Sequence, residues 1–482
     1  MLISLSISKL KARTILFGGA ALLAACAQYS EYAQRSEPPV DVRDSANIEL
    51  LGYNDLQGRE ALQTTVLSDV EGGNGEYVYV GFHAGQHLNP QTGEEEFNGT
   101  MIIDIADPAN PQTITHIANP VLATSRAVQV VYDYGPEKRD YLIRNHETDV
   151  IRKFEIFDIT GRDQTPVVIR KVGEITGTPE NSCGEGCGGT LYASAHKGWW
   201  SADTGLYYAA ANEPGFRVGR DSSHLIIWNL SDPSDPQFIG RGWIDGQKMT
   251  EVDPGEELNL HHPIVDEARG RLFGGYHRGG DVLAFDISDL MANASTPQDP
   301  PIVWHIDAEP PLTGGAHTVA AIDYAYPDIP NMAEQAYPRT YVLVTPEAER
   351  ECLPARTKLL MLDVTYESNP LPVSTWQVPD GDYCERGGRF GAHQYAETVN
   401  GEINTFDDKL VWLSYFNAGI RILDISNPYQ IEEVAHFVPH PNSNPDRPSA
   451  AIQMNDVDID HRGLAYAVDR EGAGMYVLKY SP

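Results

Sequence analysis

The stretch Ile102-Ile103-Asp104-Ile105-Ala106-Asp107-Pro108 decides the fold, because variants of it recur down the chain. The pattern returns as Phe157-Asp158-Ile159-Thr160, as Trp228-Asn229-Leu230-Ser231-Asp232-Pro233 and as Phe285-Asp286-Ile287-Ser288-Asp289. Two further copies are Leu362-Asp363-Val364-Thr365 and Leu423-Asp424-Ile425-Ser426-Asn427-Pro428. Successive Asp or Asn positions lie 54, 71, 57, 77 and 61 residues apart. A long period of this kind marks stacked supersecondary units. Each copy reads as a short alternating strand, most of them ending in an Asp-Pro-like turn, so the unit is all-β.

Around each motif the same order of strands can be read: an inner strand, a second strand, the motif strand and an outer strand. The second strands are Tyr77-Val78-Tyr79-Val80, Tyr141-Leu142-Ile143, Leu206-Tyr207-Tyr208-Ala209, Leu272-Phe273-Gly274, Tyr341-Val342-Leu343-Val344, Leu410-Val411-Trp412-Leu413 and Leu464-Ala465-Tyr466-Ala467-Val468. Seven four-stranded units fill residues 46–482, so a single seven-bladed β-propeller is expected. The last unit stops after Met475-Tyr476-Val477-Leu478, one strand short. Ile48-Glu49-Leu50-Leu51-Gly52-Tyr53 has no partner of its own and matches the missing outer strand. Its pairing there would close the ring and remove the open sheet edges.

The motifs resemble those of the LVIVD-repeat proteins, a family of exported bacterial and archaeal β-propellers. That resemblance covers six motif copies and most of the chain after its leader. It implies a fold and no single activity.

Residues 1–25 read as a lipoprotein signal peptide: Lys9, Lys11 and Arg13 precede the apolar run Ile15 to Ala25. Leu23-Ala24-Ala25-Cys26 resembles a bacterial lipobox, which implies lipidation at Cys26. A lipidated Cys26 anchors a chain to a membrane without spanning it. Ala27 after the cysteine favours the outer membrane by resemblance to Gram-negative sorting rules, with the protein facing the periplasm or the cell surface. Residues 26–45 are polar and Pro-bearing and read as the lipidated cysteine and its tether. The formal charge is −33, and removal of the leader takes it to about −36. So acidic a surface repels nucleic acid and anionic lipid. Four further cysteines suggest two disulfides in an oxidising compartment, Cys183 with Cys187 and Cys352 with Cys384.

The inner strands carry a second regularity: Ala195-His196-Lys197, Leu260-His261-His262-Pro263, Ala316-His317-Thr318, Ala392-His393-Gln394 and Met454-Asn455-Asp456. His262, His393 and Asn455 each stand eight residues before a glycine (Gly270, Gly401, Gly463), and His196 stands nine before Gly205. Equivalent residues of neighbouring inner strands ring the central channel. His196, His262, His317 and His393 are therefore expected to converge on one transition metal, with Cu or Fe favoured and Zn as a third choice. Glu213 and His277, at the ends of second strands, are the acid–base candidates; His146 and His83 stand in similar places. The alternative is that the histidines plug the channel with hydrogen bonds. Four-histidine iron in a seven-bladed propeller resembles the carotenoid-cleaving oxygenases, and Leu260-His261-His262 resembles a local feature of the selenium-binding proteins, which include methanethiol oxidases. Glu94-Glu95-Glu96 and the segment Asp245 to Glu257 are acidic loops that could take Ca²⁺.

Two functions follow. One is a lipid-anchored, metal-dependent oxidoreductase for a small molecule. The other is a non-catalytic cell-surface scaffold that binds protein or glycan through the long loops of one face.

Overall fold

The computed structural model describes residues 42–68, 76–177, 194–218, 222–255, 257–277, 280–308, 315–324, 339–348, 358–379, 381–397, 409–440 and 451–482. They form seven antiparallel sheets, the blades of a β-propeller. Blade 1 comprises Ala61–Ser68, Glu76–Phe82, Glu94–Asp104 and Gln112–Asn119, with Gln86–Asn89 added as a hairpin. Blade 2 is Val128–Tyr134, Arg139–Glu147, Arg152–Gly161 and Val168–Ile175. Blade 3 is Ala195–Trp200, Leu206–Ala211, His224–Asn229 and Gln237–Gly242. Blade 4 is Asn259–Asp266, Arg271–His277, Asp281–Asp286 and Ile302–Asp307. Blade 5 is Ala316–Tyr324, Arg339–Pro346, Leu359–Asp363 and Leu371–Trp376. Blade 6 holds Leu410–Ser414, Ile420–Asp424 and Glu432–Pro439; its inner segment joins Leu410–Ser414 through the Tyr395 bridge to Leu413. Blade 7 is Met454–Ile459, Leu464–Asp469 and Met475–Tyr480, completed by Ile48–Asn54.

The repeated motif works through its Asp or Asn side chain. In all six copies this oxygen accepts the backbone N–H two residues on: Asp104 from Ala106, Asp158 from Thr160, Asn229 from Ser231, Asp286 from Ser288, Asp363 from Thr365 and Asp424 from Ser426, at 2.8–3.0 Å. The side chain thus builds an Asx turn that ends the third strand. Glycine in the preceding blade makes room for these turns. A Cβ on Gly52 would overlap the Pro108 carbonyl oxygen, and one on Gly173 would overlap that of Pro233.

Strand alternation holds the ring together. Val78 and Val80 pack with Tyr466, Val468 and Val477 of blade 7, while Tyr77 and Tyr79 of the same strand pack with Val128, Val130 and Leu142 of blade 2. Each sheet is therefore sandwiched, and its period-2 pattern is apolar on both faces. Every such fully buried side chain contributes roughly 1.5–3 kcal/mol.

The seam between first and last blades is closed two ways. Ile48–Asn54 pairs antiparallel with Met475–Tyr480, Leu50 opposite Leu478. The Asp456 carboxylate accepts the Thr64 N–H at 2.9 Å, and the Asp458 carboxylate accepts that of Val66 at 2.8 Å. A further pairing was not foreseen: Val42–Ala46, read above as tether up to residue 45, is a strand on the outer edge of blade 6, paired with Glu432–Pro439. Its side chains are mostly exposed, so its composition looks like a linker. Cys26, Cys183, Cys187 and Cys352 lie outside the described residues, and Cys384 sits in the 3₁₀ turn Asp382–Arg386.

Blade 2 carries a buried ion pair. Arg144 Nη2 lies 3.2 Å from Glu155 Oε2, and Arg144 Nη1 donates to the Ile117 carbonyl of blade 1 at 2.7 Å. Burial alone would raise the Glu155 carboxyl, but Arg144, Lys171 and Lys153 hold it down at about 2.

Two predictions follow from this packing. Gly52→Val should destabilise the protein by about 1–3 kcal/mol, read from denaturant midpoints, because the closing strand must retreat from Pro108. A variant as stable as wild type would remove Gly52 from the closure. Glu155→Gln strands Arg144 and should cost about 3–5 kcal/mol at neutral pH. Because the folded carboxyl is depressed, that stabilisation is full above its ordinary value of 4.5 and fades as pH falls towards about 2. The stability gap between wild type and variant should accordingly narrow over that window, and a constant gap would contradict the assignment.

Candidate metal centre

Most inner strands slip register near their start. The slips fall between Ala61 and Gln63, Ala195 and Gly198, Leu260 and His262, Ala316 and Thr318, and Met454 and Asp456. A β-bulge leaves one residue outside the ladder and re-aims its side chain. The residues so placed are Leu62, His261, His317 and Asn455, with His196 and Lys197 inside the blade 3 bulge. In blade 6 the Ser414 peptide bonds with both His393 and Gln394, which sets His393 in the corresponding position. Blades 3 to 6 thus each deliver one imidazole.

A second series comes from the ends of the second strands. Tyr276 pairs with Leu260, so His277 follows the bulge pair; Pro346 pairs with Ala316, so Glu347 stands in the equivalent place. His83 follows Phe82 opposite Ala61, and Arg470 follows Asp469 opposite Met454.

The two series meet. His196 Nε2 lies 2.7 Å from His261 Nε2. The His261 and His317 rings are 3.8 Å apart between centroids, and those of His317 and His393 are 4.3 Å apart. His277 Nε2 lies 3.2 Å from Glu347 Oε2, and His393 Nε2 lies 3.8 Å from Glu347 Oε1. Ligand atoms of His261, His317 and Glu347 all fall within 4.8 Å of one another, the one group of three or more that does so among the described residues. His317 Nδ1 is hydrogen-bonded to Thr318 Oγ1 at 2.7 Å and His393 Nδ1–H donates to the Asn455 carbonyl, so the other nitrogen of each ring is left to the cluster. Nε2 of His317 is buried and has no hydrogen-bond partner.

These groups fit a metal. Two imidazole nitrogens on one ion, each bound at about 2.0–2.1 Å, stand roughly 3 Å apart, close to the His196–His261 spacing. Burial, the main cause, holds His196, His261 and His317 well below the ordinary histidine value and puts His393 at about 3. All four are therefore neutral near pH 7, the form that donates a lone pair. Burial would raise Glu347, but His277, His393, Arg389 and Arg470 hold it well below the usual carboxylate range, so it is ionised.

The expected residues do not all arrive. His196, His317, His393 and His277 join the cluster. His262 does not: it stands one residue beyond the bulge, and its Nδ1 meets Glu397 Oε1 at 2.6 Å. His261 takes its place, nine residues before Gly270 as His196 is nine before Gly205. Glu213 lies one residue past the equivalent of His277, and its carboxylate is held by Arg241 at 2.5 Å and faces His224 at 3.6 Å. His146 faces Glu155 of blade 2 at 3.7 Å. Glu347, Arg389 and Arg470 had no place in the sequence reading; Glu347 could have been found by extending the series His83, His277 to blade 5.

One residue further along the inner strands the channel is crossed by polar side chains. Lys197 Nζ reaches Gln394 Oε1 at 2.5 Å and Glu397 Oε1 at 4.0 Å, spanning blades 3 and 6. Channel plugging by hydrogen bonds therefore occurs, at the level of His262. The two acidic segments are used differently, and Glu94-Glu95-Glu96 is no loop but the start of the strand Glu94–Asp104. Glu96 binds His116 Nδ1 at 2.8 Å, and the Glu251 carboxylate accepts the Gly246 and Lys248 N–H groups at 2.8 and 3.1 Å. A separate cavity of about 560 Å³ is lined by Phe216, Arg217, His224, Gln247 and Met249.

The family model of the LVIVD repeat matches residues 96–117 and 411–437, which contain the motifs of blades 1 and 6. No curated protein matches the chain. Among solved structures, the chain is similar to the β-propeller domain of Cps50 (Swd1) from Myceliophteria thermophila, at 11% identity over 92% of this chain and 99% of that one, with a TM-score of 0.46. It is also similar to Sqt1 from Chaetomium thermophilum (10% identity, 90% and 98% covered, TM-score 0.49) and to the periplasmic gluconolactonase PpgL from Pseudomonas aeruginosa (10% identity, 88% and 97% covered, TM-score 0.42). At these scores the solved structures carry no argument about activity. By its seven sheets the chain is a seven-bladed β-propeller, and it carries LVIVD repeats at residues 96–117 and 411–437.

Proposed function

We propose that this protein is a metal-dependent oxidoreductase acting on a small molecule, with one ion held by His261, His317 and Glu347 and flanked by His196 and His393. The observation that carries the reading is the convergence of ligand atoms from those three residues within 4.8 Å. Two imidazoles and one carboxylate suit non-haem iron, which moves the preference from copper towards iron. Bound iron would supply one-electron redox chemistry. The chain supplies the rest. His277, 3.2 Å from Glu347, is the group placed to give or take a proton beside the cluster. Lys197 and Gln394, each one residue beyond a cluster histidine, meet at 2.5 Å, and Lys197 lies 4.0 Å from Glu397, so polar side chains bridge blades 3 and 6 beside the cluster. The Leu23-Ala24-Ala25-Cys26 run supports a lipid anchor and an outer-membrane location, where the substrate would be met outside the cytoplasm.

Elemental analysis of the purified chain, after supplementation with Fe, Cu and Zn, tests the reading. About one equivalent of iron or copper is expected. His261→Ala and Glu347→Gln should each reduce it at least tenfold, whereas His262→Ala should retain it with an unchanged far-ultraviolet circular dichroism spectrum. A metal-free wild type would overturn the proposal and favour a surface scaffold for protein or glycan. Loss in His262→Ala alone would overturn the ligand set.

A further inference from the structure

Beside the histidine cluster the strongly acidic chain gathers three guanidinium groups, Arg126, Arg389 and Arg470. Arg389 Nη1 binds Glu347 Oε1 at 2.5 Å, and Arg126 Nη2 binds Glu147 Oε2 at 3.1 Å. Glu347 is also the partner of His277, and Glu147 is shared with Arg152 at 3.6 Å. Arg470 is different. Its Nη2 lies 3.0 Å from His83 Nε2, its guanidinium lies 5.8 Å from the Phe416 ring centroid, and among the described residues no carboxylate comes within ion-pair distance of it. Phe416 ties this cation to the cluster: Arg389 lies 5.3 Å and the His393 ring 5.0 Å from the same aromatic ring.

Among the described residues only Glu347 and Glu147 form ion pairs with these three arginines, and Arg126 Nε is buried without a hydrogen-bond acceptor. The other charges around Arg470 act accordingly: Arg389 and Arg126 oppose its cationic form, while Glu347 and Glu471 favour it. Burial and the three arginines keep His83 neutral, so the imidazole adds no compensating charge and can accept the Arg470 N–H. In a chain of formal charge −33, a cluster of three arginines, one of them with no ion-pair partner among the described residues, is a local reversal of sign.

We propose that the substrate taken at this site carries a carboxylate, received in the fork of Arg470 with Arg126 and Arg389 beside it, so that the rest of the molecule lies over Phe416 towards His261, His317 and Glu347. The proposal deepens the reading of the cluster as a small-molecule site and rests on it, though not on the identity of the metal. One guanidinium without a carboxylate partner matches one negative charge, and its planar donors match the two oxygens of a carboxylate. Arg470 is here a binding residue; the redox step lies with the neighbouring groups.

The test is calorimetric titration of the purified full chain with benzoate, with its neutral isostere benzamide, and with sulfate and phosphate, metal content being measured on the same samples. Saturable benzoate binding is expected, at least tenfold stronger than benzamide. Arg470→Gln should weaken it at least tenfold while retaining metal, and Arg470→Lys, which keeps the charge but loses the fork, should fall between. Equal binding of benzoate and benzamide by wild type would overturn the proposal without recourse to any variant. So would benzoate affinity unchanged in Arg470→Gln, and preference for sulfate or phosphate would overturn the carboxylate assignment. Arg470-dependent benzoate binding in a chain that takes up no metal would sustain the anion subsite and remove the metal reading; metal uptake without such binding would do the reverse.

Discussion

One extra residue in each bulged inner strand is the constraint on which the candidate site depends. In a regular ladder, neighbouring side chains alternate between the two faces of a sheet, and here both faces are filled by adjacent blades. A residue on such a face meets core, not channel. The bulge takes one residue out of that alternation and points it inwards. Because the slip falls at the same place in successive blades, His196, His261, His317 and His393 reach one volume without distortion of the apolar packing between sheets. The stability of the ring and the chemistry of its centre are thus assigned to different residues of the same strands.

Electrostatics then sets the character of the site. Desolvation keeps the cluster imidazoles neutral, while the guanidinium groups of Arg389 and Arg470 help to keep Glu347 ionised. A neutral, lone-pair-rich cluster beside one carboxylate and an excess of guanidinium groups is suited to hold a cation and an anion side by side. Beside it Lys197 bridges blades 3 and 6 through Gln394 and Glu397.

Much of the fold was legible because its signals are local. The Asp of each motif makes a turn with its own backbone neighbour, so the recurrence of Asp104, Asp158, Asn229, Asp286, Asp363 and Asp424 marks the third strands directly. The closing strand was legible by elimination, since Ile48–Tyr53 had strand character and no partner. Val42–Ala46 was not, because an exposed outer strand carries no apolar alternation. The site was half legible. Counting back from the strand-ending glycine assumes a constant ladder, and a bulge breaks that count by one, which is why His262 was named where the structure brings His261 to the other histidines. Glu213 fails by the same one-residue margin. Glu347 and Arg470 come from positions defined by cross-strand pairing, which only an extension of the series His83, His277 around the blades could have reached. The carbonyl, carboxylate and imidazole partners that fix ring orientation, such as Asn455 for His393, also come from other blades.

The most direct measurement is a crystal structure of the protein grown with ferrous iron, with anomalous data collected on either side of the iron edge. The account predicts a single strong peak within about 2.0–2.3 Å of nitrogen or oxygen atoms of His261, His317 and Glu347. A peak centred instead on His262 and Glu397, or no peak in crystals whose cluster histidines are ordered, would contradict it.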